Sequence, residues 1–127
     1  MKISKIAFCL ALAALSMTAC KKDEAKPNIT GTWEGSWGFG SDAPSFYERW
    51  TLTNDGKLKS YFPDGSLYAT GTWEMNGDDF EARYKPLGDT YQYVFTGTYE
   101  NGVETISGDW HENDDPSNGG SFEMYKQ

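Results

Sequence analysis

Hydrophobic and polar residues alternate along most of this chain, and one four-residue pattern appears four times. Residues 31–34 and 71–74 both read Gly-Thr-Trp-Glu, residues 97–100 read Gly-Thr-Tyr-Glu, and residues 108–111 are a looser copy, Gly-Asp-Trp-His. A period of two places the glycine and the aromatic residue on one face of a strand and the polar residues on the other. Each copy therefore predicts a β-strand whose apolar face carries a large ring.

Alternating segments of this kind follow the first 28 residues, separated by short turn sequences. The turns contain Asn-Asp-Gly, Pro-Asp-Gly and Asn-Gly, which favour tight hairpins. The pattern predicts eight strands and no helix after residue 28. The predicted strands cover residues 29–39, 46–53, 57–62, 67–75, 80–85, 91–99 and 103–111, with a short last strand around residues 122–124.

The simplest architecture for these strands is a closed, eight-stranded, antiparallel up-and-down β-barrel in which the first strand pairs with the last. Closure removes the exposed edges that an open sheet would leave. A two-sheet sandwich is the competing arrangement. Glycines on the aromatic faces suit strands that bend sharply around a barrel. On the fourth strand, alternation predicts that Ala69 points inward and Tyr68 outward.

Large aromatic residues dominate the predicted interior of the barrel. An eight-stranded barrel is either filled by its own side chains or just wide enough to hold one small ligand, and the pattern leaves both alternatives open. If a pocket exists, its aromatic lining predicts an apolar or aromatic ligand. The predicted ligand-binding residues are Trp33, Trp37, Glu48, Trp50, Trp73, Tyr93, Phe95, Tyr99 and Trp110.

Glu48 is the unusual member of this set because alternation places it between two aromatic residues on the inner face. A buried carboxylate is costly unless it is paired or hydrogen-bonded. The hydroxyl of Tyr84, Tyr91 or Tyr93 would satisfy it, as would a polar group of a ligand. The alternative interpretation is that Glu48 lies near the mouth of the barrel and reaches water.

The first 19 residues have the layout of a secretory signal. Lys2 and Lys5 precede an apolar run over residues 6–15, which is too short to span a bilayer as a helix. Small residues then lead to Cys20, and this arrangement resembles the lipobox of bacterial lipoproteins. The resemblance implies that Cys20 becomes the first mature residue and carries lipid such as palmitate, which would anchor the protein to a membrane. An ordinary cleaved signal with an incidental cysteine is the alternative.

The Lys-Lys-Asp-Glu sequence directly behind Cys20 looks like the surface-export signal of some Gram-negative lipoproteins. It predicts an outer-membrane lipoprotein exposed at the cell surface, and the alternative is a tether that is merely solvated. Residues 20–28 are polar and lack periodicity, so we expect them to link the lipid anchor to the barrel domain of residues 29–127.

Charge narrows the range of partners. Removal of residues 1–19 takes away two of the 11 Lys and Arg residues and none of the 19 Asp and Glu residues, which leaves a net charge of −10. Both nucleic acid and an anionic membrane surface require basic patches, so neither is an expected partner of the mature domain. A cationic protein partner is permitted.

No motif in the sequence predicts catalysis, a cofactor or a metal. His111 is the only histidine, and no nucleophile motif accompanies it. The glycine-rich residues 35–40 lack the Gly-Lys-Ser/Thr ending of a phosphate-binding loop. The acidic residues 112–119 lack the spacing of a helix-loop-helix calcium site. We therefore expect a binding protein without a cofactor rather than an enzyme.

Residues 31–33, Gly-Thr-Trp on the first predicted strand, resemble the Gly-x-Trp signature of the lipocalin and avidin superfamily. The predicted eight-strand meander over residues 29–127 agrees with the barrel of that superfamily. The chain departs from lipocalins because it lacks a C-terminal helix and an arginine near the last strand. It is more similar to the compact lipocalin-like domains of small bacterial envelope lipoproteins, and this resemblance implies a binding or inhibitory role.

Two functional hypotheses follow. The first is a lipid-anchored barrel that binds a small apolar or aromatic molecule. The second is a barrel that binds a protein, such as an inhibitor of a cationic hydrolase, or that serves as a structural accessory of a surface complex. Known barrel inhibitors of this kind carry a Ser-Gly-x-x-Tyr stretch, which residues 107–111, Ser-Gly-Asp-Trp-His, only approach.

Overall fold

The alternating segments of the sequence form eight antiparallel strands in the computed structural model, which describes residues 27–127. The predicted signal segment and Cys20 lie outside the described residues. The strands are β1 (Gly31–Trp37), β2 (Phe46–Leu52), β3 (Lys57–Tyr61), β4 (Leu67–Asn76), β5 (Asp79–Pro86), β6 (Tyr93–Glu100), β7 (Thr105–Glu112) and β8 (Gly119–Lys126).

Each strand pairs with its neighbours in the sequence, and β1 also pairs with β8 to close the sheet into a barrel. The seam places Trp33 opposite Lys126 and Trp37 opposite Phe122. Since every strand then has a partner on both sides, no edge is left open within this sheet. The predicted up-and-down barrel and the pairing of its first and last strands are confirmed, and a sandwich is excluded.

Glycines allow neighbouring strands to approach closely where the barrel bends. A Cβ atom on Gly71 would overlap the backbone of Arg83 and Tyr84 on β5, and one on Gly97 would overlap the backbone of Ser107 on β7. Backbone atoms in a paired strand have little freedom to move aside. At Gly71 and Gly97, the glycine of the repeated pattern therefore permits the close approach of the strands.

Packed side chains fill the centre of the barrel and the end at which β1 begins, which we call the closed end. Trp50 stacks on Phe80 with ring centroids 5.7 Å apart, and Phe95 meets Trp50 edge to face at 5.3 Å. Trp33 is fully buried and donates its Nε1–H to the carbonyl oxygen of Ile29 at 2.8 Å. Buried aliphatic side chains complete the filling: Leu52, Leu58, Ile106 and Met124.

The predicted orientation of Tyr68 is wrong, and a β-bulge is the reason. The register between β3 and β4 shifts, so that Ser60 pairs with Ala69 whereas Tyr61 pairs with Leu67. Tyr68 is the extra residue of the bulge, and a bulge interrupts the alternation of inward and outward side chains. The Tyr68 side chain therefore faces the interior on the same side as the fully buried Ala69.

The last strand is longer than its sequence predicts because Gly119 and Gly120 belong to it. These two glycines pair with His111 and Trp110 on β7, which shortens the acidic loop to residues 113–118. Glycine has a low strand propensity, so the local sequence conceals this extension.

The close approach of β4 and β5 at Gly71 predicts that one added methyl group will destabilise the barrel. Gly71→Ala is expected to lower the free energy of unfolding by about 2–3 kcal/mol, which is typical of overpacking at a site that cannot relax. Chemical denaturation of the wild type and the variant measures this loss.

Gly102→Ala is the matched control because a Cβ atom at Gly102 meets nothing within 4 Å. This exposed substitution should change the free energy of unfolding by less than about 0.5 kcal/mol. Equal effects of the two alanines would mean that β4 and β5 have room to separate.

Candidate functional site

The end of the barrel at which β1 ends, the open end, contains a cavity of about 360 Å³. This volume lies within the range of roughly 300–1,000 Å³ that is typical of small-molecule sites. Ten of the 13 lining residues are aromatic, so the wall is mostly apolar. The cavity is lined by Trp37, Phe39, Tyr47, Glu48, Tyr61, Phe62, Pro63, Tyr68, Tyr84, Tyr93, Phe95, Trp110 and Asn118.

The rings of the wall contact one another edge to face. The Trp110 ring centroid lies 5.2 Å from that of Trp37 and 5.7 Å from that of Tyr93. Tyr84 continues the series, with its centroid 5.9 Å from Tyr93 and 6.0 Å from Tyr68. Contacts of this geometry contribute about 0.5–1.5 kcal/mol each beyond the burial of their area. The rings therefore hold one another in position around the cavity.

Glu48 is the one carboxylic acid that lines the cavity, and the residue is only 4% exposed. The Nε1–H of Trp50, the hydroxyl of Ser60 and the hydroxyl of Tyr84 donate to Glu48 Oε2 at 2.5, 3.2 and 2.9 Å. These donors lie on β2, β3 and β5, so the carboxyl group connects three strands. Of the two sequence-based interpretations, the structure selects burial with hydrogen bonds, and Tyr84 is the tyrosine that provides one of them.

The second carboxyl oxygen of Glu48, Oε1, accepts no hydrogen bond from the residues that the structure describes. It is also not a fully enclosed atom, because Arg49 Nε is the sole enclosed side-chain nitrogen or oxygen in residues 27–127 that lacks a partner. Since Glu48 borders the cavity, Oε1 is an acceptor that faces the cavity.

Burial raises the pKa of Glu48 from its ordinary 4.5 to about 7, although the hydrogen bonds from Trp50, Tyr84 and Ser60 act in the opposite direction. Burial and the neighbouring Glu48 charge raise the pKa of Tyr84 well above 10. The same two causes raise the pKa of Tyr68. Glu48 is therefore the group of the cavity that changes its charge near neutral pH.

The structure brings five of the nine predicted ligand-binding residues to the cavity: Trp37, Glu48, Tyr93, Phe95 and Trp110. The other four lie elsewhere. Trp33 and Trp50 are fully buried below the cavity, and Trp50 contacts the site only through its hydrogen bond to Glu48. Tyr99 packs edge to face on Trp33. Trp73 is half-buried and donates its Nε1–H to the carbonyl oxygen of Thr53 at 2.9 Å.

Several lining residues are outside the set that the sequence predicts. Tyr68 reaches the cavity because of the bulge in β4, and Tyr61 and Phe62 lie beside the same irregularity at the end of β3. Tyr47 and Phe39 stand at the rim, where β2 begins and where the chain leaves β1. Tyr61 and Phe62 directly precede the Pro-Asp-Gly turn, and this aromatic pair was the one signal in the sequence that pointed to these additional lining residues.

The chain matches no protein-family model, and it has no significant match among curated proteins or solved structures. Its eight-stranded barrel is consistent with a lipocalin-like fold, and an aromatic-lined cavity opens at one end. Residues 27–127 contain no helix that is long and apolar enough to cross a membrane. No three His, Cys, Asp or Glu side chains of this part of the chain lie close enough together to hold a metal ion.

The raised pKa of Glu48 predicts that this residue destabilises the barrel as the pH rises. Between pH 4.5 and 7 the unfolded chain releases the Glu48 proton while the folded protein retains it. The contribution of Glu48 to the free energy of unfolding therefore falls as the pH rises through this window, and it is constant above pH 7. The difference between these two pKa values corresponds to about 3 kcal/mol.

Glu48→Gln removes the titrating group but keeps an oxygen that accepts hydrogen bonds. The unfolding free energy of the wild type minus that of the variant should therefore fall by about 3 kcal/mol between pH 4.5 and 8. Urea denaturation of both proteins across this range measures the difference. A difference that stays constant with pH would contradict a buried, neutral carboxyl group.

Proposed function

We propose that this protein binds a small apolar or aromatic molecule in the open end of its barrel. The observation that carries the proposal is the 360 Å³ cavity with its wall of mutually packed rings. Apolar surface left in contact with water forgoes about 25 cal/mol for every Å². A ligand that fills the cavity would recover this free energy, as the packed side chains do at the closed end.

The aromatic surface continues from the cavity onto the rim of the barrel. Phe39 and Phe46 are 46% and 50% exposed, and Phe62 is 46% exposed. Phe46 stacks on Trp37 with ring centroids 4.8 Å apart, which joins the rim to the cavity wall. Exposed apolar surface of this kind is common around ligand-binding grooves. It supports entry of the ligand at this end.

We propose in addition that lipid on Cys20 holds the domain at a bacterial cell envelope, at the outer membrane. The support is the signal-like sequence of residues 1–20, which lies outside the described residues. Ile29, directly before β1, is buried at the closed end of the barrel. The first described residues and the mouth of the cavity are thus at opposite ends of the barrel, an arrangement that suits a binding domain attached through its N-terminus.

Native mass spectrometry of the mature protein, extracted gently from its own membrane, tests the proposal. We expect a small additional mass that disappears on denaturation. A protein-sized companion would instead favour the second function, the binding of a cationic protein, which the mature net charge of −10 supports. A protein that carries no ligand and also fails to bind aromatic probes would contradict the proposal.

Loss of one ring from the wall should weaken binding of an aromatic probe. We expect Trp37→Leu to lower the affinity for indole by about tenfold, which corresponds to about 1.4 kcal/mol, because Trp37 borders the cavity and contacts Trp110. Isothermal titration calorimetry measures the affinity. Trp73→Leu is the matched control, since Trp73 does not line the cavity, and it should leave the affinity for indole unchanged. Equal losses in the two variants would argue against the cavity as the binding site.

Replacement of Cys20 should release the protein from the membrane. Cys20→Ser, expressed in a Gram-negative host, is expected to lose labelling by an alkyne analogue of palmitate and to move from the detergent phase to the aqueous phase on partitioning. Cys9→Ser is the matched control, because Cys9 would be removed with the signal and labelling should persist. Undiminished labelling of Cys20→Ser would contradict the proposed anchor.

A further inference from the structure

The cavity contains an acidic group without a positive partner. Glu48 is the one carboxylic acid among the lining residues, and no lysine, arginine or histidine lines the cavity. The described salt bridges, Arg83 with Glu81 and Lys126 with Glu104, both lie elsewhere on the barrel. An ionised carboxylate inside a largely apolar cavity is costly unless a charge of opposite sign or enough hydrogen-bond donors accompany it.

The hydrogen bonds of Glu48 leave one side of the carboxyl group available. Trp50, Ser60 and Tyr84 all donate to Oε2, whereas Oε1 faces the cavity without a donor from the described residues. The three donors hold the carboxyl group in place through Oε2. Oε1 is thus a preformed acceptor at the base of an aromatic cavity.

We propose that the ligand is an organic cation, an amine in its protonated form attached to an apolar or aromatic body, whose ammonium group donates a hydrogen bond to Glu48 Oε1. This inference rests on the proposed function and names the chemical class that the same cavity selects. The ammonium group would supply both of the things that Glu48 lacks there, a donor for Oε1 and a compensating positive charge.

The aromatic wall favours the same class of ligand. Trp37, Trp110, Tyr68 and Tyr93 line the same cavity as Glu48. Tryptophan and tyrosine rings attract a cation through their electron-rich faces, and aromatic cages are a common means of binding alkylammonium groups. The apolar body of the ligand would be buried against the same rings.

The carboxylate disfavours anionic ligands. A fatty acid with its head group at the base of the cavity would place a second carboxylate beside Glu48, and two neighbouring carboxylates repel each other unless one takes up a proton. A neutral alcohol would donate a hydrogen bond to Oε1 but would leave the negative charge uncompensated. The expected order of affinity above pH 7 is therefore amine, then alcohol, then carboxylic acid.

Binding of a cation to this site should depend on pH. A positive charge beside Glu48 favours the ionised carboxylate, so below its pKa of about 7 the site must release a proton before the amine binds. The neighbours of Glu48 do not titrate in this range, because β1 contributes Gly35, β3 contributes Ser60, and burial raises the pKa of Tyr84 on β5 and Tyr68 on β4. The other residues that β6, β7 and the segment before β8 contribute to the cavity are Tyr93, Phe95, Trp110 and Asn118. Of these only Tyr93 has a titratable side chain, and its pKa is also raised.

Two probes of nearly equal shape test the proposal. Tryptamine and tryptophol share an indole ring and an ethyl chain, and they differ in that one ends in an ammonium group and the other in a hydroxyl group. We expect isothermal titration calorimetry at pH 8 to give an affinity for tryptamine that exceeds that for tryptophol by about tenfold or more. At pH 5.5 the affinity for tryptamine should fall by about thirtyfold while that for tryptophol changes little.

Two variants test whether the preference for tryptamine over tryptophol comes from the Glu48 carboxylate. Glu48→Gln should lower the ratio of the two affinities at pH 8 to near one. Glu74→Gln removes an acidic group from the exposed outer face of β4 and should preserve the ratio. If Glu48→Gln fails to fold, the pH dependence of the wild type still tests the same charge.

The outcomes separate the two proposals. Equal affinities for tryptamine and tryptophol at pH 8 would overturn the inference of a cationic ligand while leaving the proposed binding of small aromatic molecules in place. A preference for tryptamine that survives in Glu48→Gln would also overturn the inference, since the charge would then act from another site. Failure of both probes to bind would overturn the proposed function and the inference together.

Discussion

The hydrogen bonds between β1 and β8 close the sheet and so fix the volume inside the barrel. Eight strands enclose a space that side chains just fill or that holds one small molecule. In this protein, side chains fill one part of the barrel axis and leave a cavity in the other part. Trp50 and Phe80 stack in the centre, and aliphatic side chains fill the closed end, whereas the rings at the open end stand around a cavity. The site is therefore the part of a closed interior that the chain leaves unfilled.

Glu48 lies where the filled part meets the cavity, and the proposed ligand would contact the same carboxyl group whose burial costs stability. Its hydrogen bonds from Trp50, Ser60 and Tyr84 join three strands, yet burial raises its pKa to about 7 and disfavours its ionised form. A glutamine would accept hydrogen bonds without this loss. Ionisable side chains that lower the stability of a protein and face a cavity are typical of binding sites. The cost in stability of a carboxylic acid at this position supports the proposed role of Glu48 in binding.

The number of strands, their order and the closure of the barrel could be predicted because alternation and turn sequences are local signals. The composition of the site could be predicted only in part. Trp33 and Trp37 lie on the same face of β1, but the first is buried at the closed end and the second lines the cavity. Alternation encodes the face of a strand and not the depth along the barrel axis, so it could not separate them or decide how deeply Glu48 is buried. The bulge at Tyr68 also leaves no mark in the hydrophobic pattern.

The most direct test of this account is the pKa of the Glu48 carboxyl group, measured by carbon-13 NMR of the side chain over pH 4–9, with Glu48→Gln used to assign its signal. We expect a pKa of about 7 for this group in the free protein and a lower value when tryptamine is bound. A pKa near the ordinary 4.5 in the free protein would mean that water solvates the carboxylate freely. The carboxyl group would then not be the buried acceptor at the base of the aromatic cavity that we infer.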